Sequence, residues 1–140
     1  MASVEASFRD AIEDARACPR MWAVADADRT VGFVMISDGI QAERLASDPD
    51  LIGPYFLWRL LIDAGQQRRG YGSATLDAVV EYLRGRPGAD SLYTSCVSGP
   101  DGPLPFYERY GFVQTGDIVD GELVLRLDLI GRGRPDPSRP

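Results

Sequence analysis

A glycine-containing turn, Gln67-Arg-Arg-Gly-Tyr-Gly72, has residue types and a spacing that could bind an anion. It follows the apolar run at residues 55–62, Tyr-Phe-Leu-Trp-Arg-Leu-Leu-Ile, which is typical of a strand buried on both faces. After the turn, apolar residues recur at helical spacing and predict one apolar stripe: Leu76, Val79, Val80 and Leu83. The turn is therefore predicted to join a buried strand to the N-terminus of a helix.

The backbone at such a helix start attracts negative charge. Its first N–H groups have no intrahelical acceptor, and the helix dipole is positive at that end. Gly70 and Gly72 lack side chains that would keep a phosphate off the backbone, and Arg68 and Arg69 add positive charge. A glycine pair alone is a weak signal, because many strand-to-helix turns contain glycine. A Walker-type loop is excluded because the chain has no lysine. We interpret the turn as a cradle for a diphosphate.

The composition fits one globular domain. The chain has 140 residues and a hydrophobic content of 44%, so we predict a single domain over residues 1–130. Residues 131–140 lack apolar anchors, which predicts a disordered tail. A net charge of −6 argues against a nucleic-acid partner. No apolar run could span a bilayer and the first residues do not resemble a signal peptide, so we expect a cytoplasmic protein without membrane attachment.

Two residue types are scarce or missing. The chain has no histidine, which excludes Ser-His-Asp and Cys-His nucleophiles and removes the commonest zinc ligand, so we expect no metal. The two cysteines, Cys18 and Cys96, are too few for a disulfide framework. Each is expected to be a buried thiol, although a pairing between them stays open.

The remaining segments predict an α/β fold. In chain order they are a helix at residues 3–16, a hairpin of residues 21–25 and 31–36, a long loop at 37–54, a strand at 91–97, a short helix at 104–110, and a hairpin of 112–119 and 122–129. One crossover helix should make the two central strands parallel. We therefore predict a mixed central sheet with antiparallel hairpins at both ends, a parallel central strand pair joined by a crossover helix, and flanking helices.

Two motifs in this order resemble the GNAT superfamily of N-acetyltransferases. The turn matches the family's Gln/Arg-x-x-Gly-x-Gly/Ala motif, and Phe106-Tyr-Glu-Arg-Tyr-Gly-Phe112 matches its Phe-Tyr-x-x-x-Gly-Phe stretch. The resemblance covers roughly residues 21–129 and is greatest to the polyamine acetyltransferase-like branch. The family usually has a strand and a helix ahead of the helix predicted at residues 3–16, and this chain is expected to lack them.

The resemblance implies direct transfer of an acetyl group from acetyl-CoA to a primary amine of a small molecule, either polyamine-like or another cationic amine. The turn would hold the pyrophosphate, and the end of the preceding strand would pair along the pantetheine arm, where the two central strands splay apart after Ile62 and Ser95. The implied cofactor-binding residues are Leu60, Leu61, Ile62, Gln67, Arg68, Arg69, Gly70, Tyr71, Gly72 and Ser73.

The resemblance also implies a catalytic residue. Tyr107 matches the family tyrosine that protonates the departing CoA thiolate. The same residue, with Phe106 and Tyr110, would equally suit an aromatic helix face packed in the core. No general base can be chosen, since water could serve; the candidates by position are Asp63, Glu43, Asp101 and Glu108.

Other interpretations stay open. A catalytically impaired CoA-binding or regulatory module, or a nucleotide-binding domain unrelated to acyl transfer, would share the turn. Cys96 could carry an acyl group, although its place within a strand favours a core role. A homodimer is plausible because a shortened sheet exposes an edge.

Overall fold

Six strands form one mixed sheet in the computed structural model, which describes residues 18–67 and 69–130. The elements in chain order are β1 (Pro19–Asp26), β2 (Arg29–Asp38), α1 (Ala42–Ser47), β3 (Tyr55–Ile62), a short 3-10 turn (Ala64–Gln66), α2 (Tyr71–Arg84), β4 (Ser91–Cys96), α3 (Leu104–Tyr110), β5 (Val113–Val119) and β6 (Glu122–Asp128). The strand order is β1-β2-β3-β4-β6-β5. Among these described strands, only the β3–β4 pair is parallel, so the predicted fold class is confirmed.

Some predictions concern segments that the structure does not describe. The helix predicted at residues 3–16 and the tail predicted at 131–140 both lie outside the described residues. The same holds for the expected lack of a preceding strand and helix. A single domain over residues 1–130 therefore stays a prediction.

The prediction of a continuous loop over residues 37–54 is wrong. β2 continues to Asp38, and α1 occupies Ala42–Ser47 within the segment. This helix has good helix-forming residues and an i,i+4 ion pair between Arg44 and Asp48, with 3.3 Å between Nη2 and Oδ2. Since none of its residues is buried, it has no apolar stripe from which the sequence pattern could have revealed it.

The core lies between one face of the sheet and the helices α2 and α3. The predicted stripe of α2 is buried, and Leu76 and Leu83 are fully inaccessible to solvent. Tyr107 of α3 belongs to the same core cluster, which also contains Leu125 and Leu127 of β6. Both helices therefore pack on the same face of the sheet.

A buried carboxylate ties the far end of α2 to the sheet. Asp38 accepts hydrogen bonds from Arg20 Nε at 2.9 Å and Arg86 Nε at 3.0 Å, and from the hydroxyl of Tyr82. Burial alone would raise the pKa of Asp38, but hydrogen bonds from Tyr82, Arg20 and Arg86 outweigh that effect and lower it. The cluster fixes the C-terminal end of α2 and leaves its N-terminal end to the site described below.

Among the described residues, no helix has the length and apolar character needed to cross a membrane.

Candidate functional site

The two central strands diverge and leave an open wedge in the sheet. β3 and β4 pair only at Phe56 with Tyr93 and at Leu57 with Thr94. Beyond that point β3 pairs with β2 alone, so its β4-facing edge over residues 58–62 has no strand partner among the described residues. The divergence begins at Trp58, not after Ile62 and Ser95 as the sequence analysis predicted.

A β-bulge accounts for the early divergence. On β2, Met35 pairs with Arg59 and the next residue, Ile36, pairs with Leu57, so Trp58 is an additional residue in β3. Such an insertion bends the strand and increases its twist. Periodicity alone does not reveal a bulge, because the run of apolar residues continues unbroken through it. The bend leaves the β4-facing edge of β3 open from Leu60 to Ile62, where alternate residues direct their backbone N–H and C=O groups to the wedge.

The glycine turn lies at the same end of the sheet, because α2 begins shortly after β3 ends. Gly70 is the N-cap residue of α2, with φ +81°, and it makes no side-chain cap. The first intrahelical bond of this end runs from Ala74 N to Gly70 O at 3.0 Å, so the N–H groups of Tyr71, Gly72 and Ser73 have no intrahelical acceptor. A helix N-terminus beside the carboxyl ends of parallel strands is a common anion-binding place.

The side chains of the turn hold it in position. Gln67 Nε2 donates back to Ile62 O at 3.2 Å, and the hydroxyl of Tyr71 donates to Asp26 at the end of β1. Arg69 is exposed, and Arg68 lies outside the described residues. Gln67 and Tyr71 thus direct their side chains to the protein and leave their backbone at the turn.

Gly70 and Gly72 are needed for different reasons. A Cβ on Gly70 would meet nothing within 4 Å, but the positive φ favours glycine. A Cβ on Gly72 would lie 3.0 Å from Cζ of Phe106, so the absent side chain lets α3 approach α2 closely. Both glycines were predicted only to let a phosphate approach the backbone. Gly72 also has a packing role, since it lies against Phe106.

Tyr107 has its ring in the core and its hydroxyl at the wedge. The residue is 7% exposed, and its ring packs edge-on against Phe112 with 5.3 Å between centroids. The hydroxyl is hydrogen-bonded to Thr94, which itself donates to Leu57 O at 2.9 Å. The phenol therefore lies at the last paired rung of β3 and β4.

The ionisation of Tyr107 is suppressed. Burial raises the pKa of its hydroxyl to about 12, while the hydrogen bond with Thr94 and, to a smaller extent, the positive charge of Arg59 act in the opposite direction. The phenol is thus protonated throughout the neutral range and can donate a hydrogen bond at the wedge.

Three polar residues near this point were not identified from the sequence. Thr94 holds the Tyr107 hydroxyl, Arg59 follows the bulge, and Glu122 accepts a hydrogen bond from Ser95 Oγ at 3.3 Å. None belongs to a motif, and only the strand register places them together. Alternation along β3 and β4 could have indicated which side chains share a face, but not where the strands separate.

The four predicted base candidates are not brought together. Asp63, Glu43, Asp101 and Glu108 are all exposed. Glu108 lies close enough to the end of β4 to act on Cys96: burial raises the pKa of the Cys96 thiol, and the charges of Glu122 and Glu108 raise it further. Cys96 is buried, as predicted, whereas Cys18 is only partly buried, and neither cysteine is in a disulfide. In the part of the chain described, no three His, Cys, Asp or Glu residues group as metal ligands.

An open cavity of about 430 Å³ lies between β1 and α2. Its mostly apolar lining includes Trp22, Val24, Val34, Ala78 and Tyr82. Tyr71 of the glycine turn also lines this cavity, so the cavity extends along α2 to the turn.

Comparisons with known proteins agree with this geometry. The model of the acetyltransferase (GNAT) family matches residues 2–112. An acetyltransferase from Thermus thermophilus has a TM-score of 0.65 at 21% identity, over 91% of this chain and 75% of that chain. PaiA N-acetyltransferase from Thermoplasma acidophilum, in complex with coenzyme A, has a TM-score of 0.64 at 12% identity, over 89% and 71%.

The same architecture occurs in a protein with different chemistry. The GphF GNAT-like decarboxylase, in complex with isobutyryl-CoA, has a TM-score of 0.65 at 19% identity, over 91% of this chain and 86% of that chain. At such identities the likeness shows the fold and nothing finer. No curated protein matches the sequence.

Proposed function

Since the chain belongs to the acetyltransferase (GNAT) family, we propose that it transfers an acetyl group from acetyl-CoA to the primary amine of a small molecule. The observation that carries the proposal is the unpaired edge of β3 beside the uncapped N-terminus of α2. The strand edge suits an extended chain that contains amides, and the helix N-terminus suits phosphates. Both lie at the same end of the sheet.

The described backbone fits acetyl-CoA in two places. The N–H groups of Gly70 to Ser73, with Arg69, would bind the pyrophosphate, and Arg68 and Gln67 of the same turn would complete the cradle. Leu60, Leu61 and Ile62 would pair with the pantetheine amides, in the manner of a strand added to a sheet edge. The free edge over residues 58–62 is about 16 Å long, enough for two amides in series.

Tyr107 would act on the sulfur. Amine attack on the thioester carbonyl releases a thiolate, and the conjugate acid of a thiolate has a pKa near 8.5. The pKa of Tyr107 is raised to about 12, so complete proton transfer from the phenol would be uphill by about 5 kcal/mol. We therefore assign Tyr107 the role of a hydrogen-bond donor that stabilises the developing thiolate.

The acceptor is proposed to be the primary amine of a small molecule, and a net charge of −6 is compatible with a cationic amine in general, including a polyamine. The amine must lose a proton before it attacks. Glu122 is half-buried and accepts a hydrogen bond from Ser95 of β4. Glu122 and Glu108 are the two carboxylates whose charges act on Cys96 at the end of that strand, so they are the candidates to accept this proton. Water remains an alternative route for the proton.

The test is release of free CoA thiol from acetyl-CoA over a panel of amines, including polyamines and amino acids. Turnover with at least one amine, together with a Tyr107→Phe variant that binds CoA normally but turns over slowly, is the expected outcome. Hydrolysis of acetyl-CoA without any acetylated amine would contradict amine transfer.

A CoA-binding module without catalysis is the second candidate. It is favoured by the nearly complete burial of Tyr107 and by the dispersal of the predicted base residues over the surface. Calorimetric titration with CoA separates the two candidates when it is combined with the panel. Tight binding of CoA with no product from any amine would favour the module.

A further inference from the structure

Arg59 lies at the mouth of the wedge, on the face of the sheet away from α2. Its neighbour across β2 is Met35, whereas Leu57 pairs with Ile36, and both Leu57 and Ile36 belong to the core beneath α2. Because Trp58 is the additional residue of the bulge, the Arg59 side chain lies on the same face of the sheet as Met35, opposite to the face that carries Leu57 and Ile36. The Arg59 side chain therefore begins at the point where β3 no longer pairs with β4.

The guanidinium of Arg59 has an unused donor edge. Nη1 donates to Trp58 O at 2.9 Å, and the residue is half-buried. Nε is fully buried and has no acceptor among the protein groups that the structure describes. A carboxylate binds a guanidinium through two parallel N–H groups, and the edge formed by Nε and Nη2 is the one that Trp58 leaves free.

Several other arginines of the described chain are paired with carboxylates. Arg20 and Arg86 share the carboxylate of Asp38, and Arg84 pairs with Glu81. Arg59 makes no ion pair with a carboxylate in the described ranges, although a guanidinium keeps its charge at any physiological pH. A half-buried cation with a desolvated, unpaired donor is costly to maintain and is a favourable place for an anionic group.

Arg59 is also close to the reacting region. Its charge lowers the pKa of the Tyr107 hydroxyl, although burial is the larger influence on that group. Tyr107 approaches the wedge from the α2 face and Arg59 from the opposite face. The position that the proposed function gives to the thioester lies between them, so an acceptor amine on the Arg59 face would have its other substituents near the guanidinium.

We propose that Arg59 binds a carboxylate of the acceptor, so that the acceptor is an amino acid or a similar amine carrying a carboxylate and not a polyamine. This inference rests on the proposed acetyl transfer and specifies its substrate class. The carboxylate would bind the guanidinium of Arg59 and hold the amino group toward the wedge.

Turnover with matched acceptors tests the proposal. Glycine, alanine, phenylalanine and glutamate are compared with their amides, which keep the amino group and remove the α-carboxylate. We expect kcat/KM to favour the best acid over its amide by about tenfold or more. Arg59→Met should remove this preference, so that the variant uses each acid and its amide with about equal kcat/KM. Arg59→Lys should retain part of the preference for the acid, because lysine keeps the positive charge but lacks the planar pair of N–H donors.

Arg126→Met is the control variant, since Arg126 is an exposed arginine on β6. It should preserve the preference in full. Melting midpoints and CoA affinities verify that each variant is folded. Equal loss of acid and amide turnover in Arg59→Met, or a wild-type preference for spermidine over every amino acid, would overturn the proposal. The proposal would also be overturned if Arg59→Met lost only the ability to use succinyl-CoA as the acyl donor. In that case Arg59 would bind a carboxylate of the acyl group and not one of the acceptor.

A binding measurement separates this inference from the proposed function. N-acetylglycine and N-acetylglycinamide are titrated into the CoA complex of the wild-type and Arg59→Met proteins. Tighter binding of the acid by about tenfold, lost in the variant, supports the carboxylate site even if no amine is turned over. Equal binding of the two compounds overturns it, and turnover of spermidine in that case would leave the acetyltransferase proposal standing alone.

Discussion

Replacing Gly72 by alanine should destabilise the protein, although alanine is the better helix former. The new methyl would lie 3.0 Å from Cζ and 3.3 Å from Cε1 of Phe106, closer than ordinary van der Waals contact. Forcing a methyl into such a contact costs about 1–3 kcal/mol. The gain in helix propensity is about 0.5–1 kcal/mol. The free energy of unfolding should therefore fall by about 1 kcal/mol at the middle of these ranges, and by about 2.5 kcal/mol at most.

The contact with Phe106 is tested by a double-mutant cycle. In a Phe106→Leu background the ring edge is removed, so Gly72→Ala should become neutral or slightly stabilising, with a coupling energy of about 1–2 kcal/mol. Urea denaturation of the four proteins measures each free energy. Gly70→Ala is the matched control, because its Cβ meets nothing within 4 Å. It should cost about 1–2 kcal/mol through its positive φ, with no dependence on Phe106.

The cycle would refute the packing argument in either of two ways. Gly72→Ala could increase the free energy of unfolding in the native background, or its effect could be the same with Phe106 and with leucine. In either case the closeness of α3 and α2 would not depend on the missing side chain.

Three further predictions concern ionisable groups. Tyr107→Phe should lower kcat about 100-fold or more, leave CoA affinity unchanged within about twofold, and cost about 1 kcal/mol of stability; an equal kcat would remove the proposed role. The folded pKa of Asp38 lies below its ordinary value of 3.8, so its stabilisation is present above that value and is lost as pH falls through the lowered pKa. Urea midpoints should therefore decline more steeply below about pH 4 in the wild type than in Asp38→Asn, and parallel profiles would contradict the assignment. Because burial raises the pKa of Cys96, Cys96→Ala should retain turnover, whereas loss of turnover with a normal CoA affinity would restore the acyl-carrier alternative.

Periodicity and turn residues were sufficient to predict most of the fold. The apolar run at residues 55–62 corresponds to β3 (Tyr55–Ile62), and the strand predicted at 122–129 corresponds to β6 (Glu122–Asp128). The stripe from Leu76 to Leu83 lies on α2, and the short helix predicted at 104–110 is α3. These features depend on local sequence, because each buries one face or stops one element.

The features missed from the sequence depend on contacts between distant residues. Trp58 becomes a bulge only through its register with Met35 and Ile36. The closeness of Tyr107, Thr94 and Arg59 arises from α3, β4 and β3 together, and no spacing within one segment encodes it. The packing role of Gly72 similarly requires Phe106, which is brought near only by the tertiary fold.

The proposed function depends most on acetyl-CoA binding along the free edge of β3 and at the N-terminus of α2. Amide hydrogen exchange with and without CoA measures this directly. Slower exchange at residues 60–62 and 70–73 on CoA binding is the predicted result. Binding that leaves those amides unchanged and slows exchange at residues lining the cavity between β1 and α2, such as Trp22 and Val24, would contradict it.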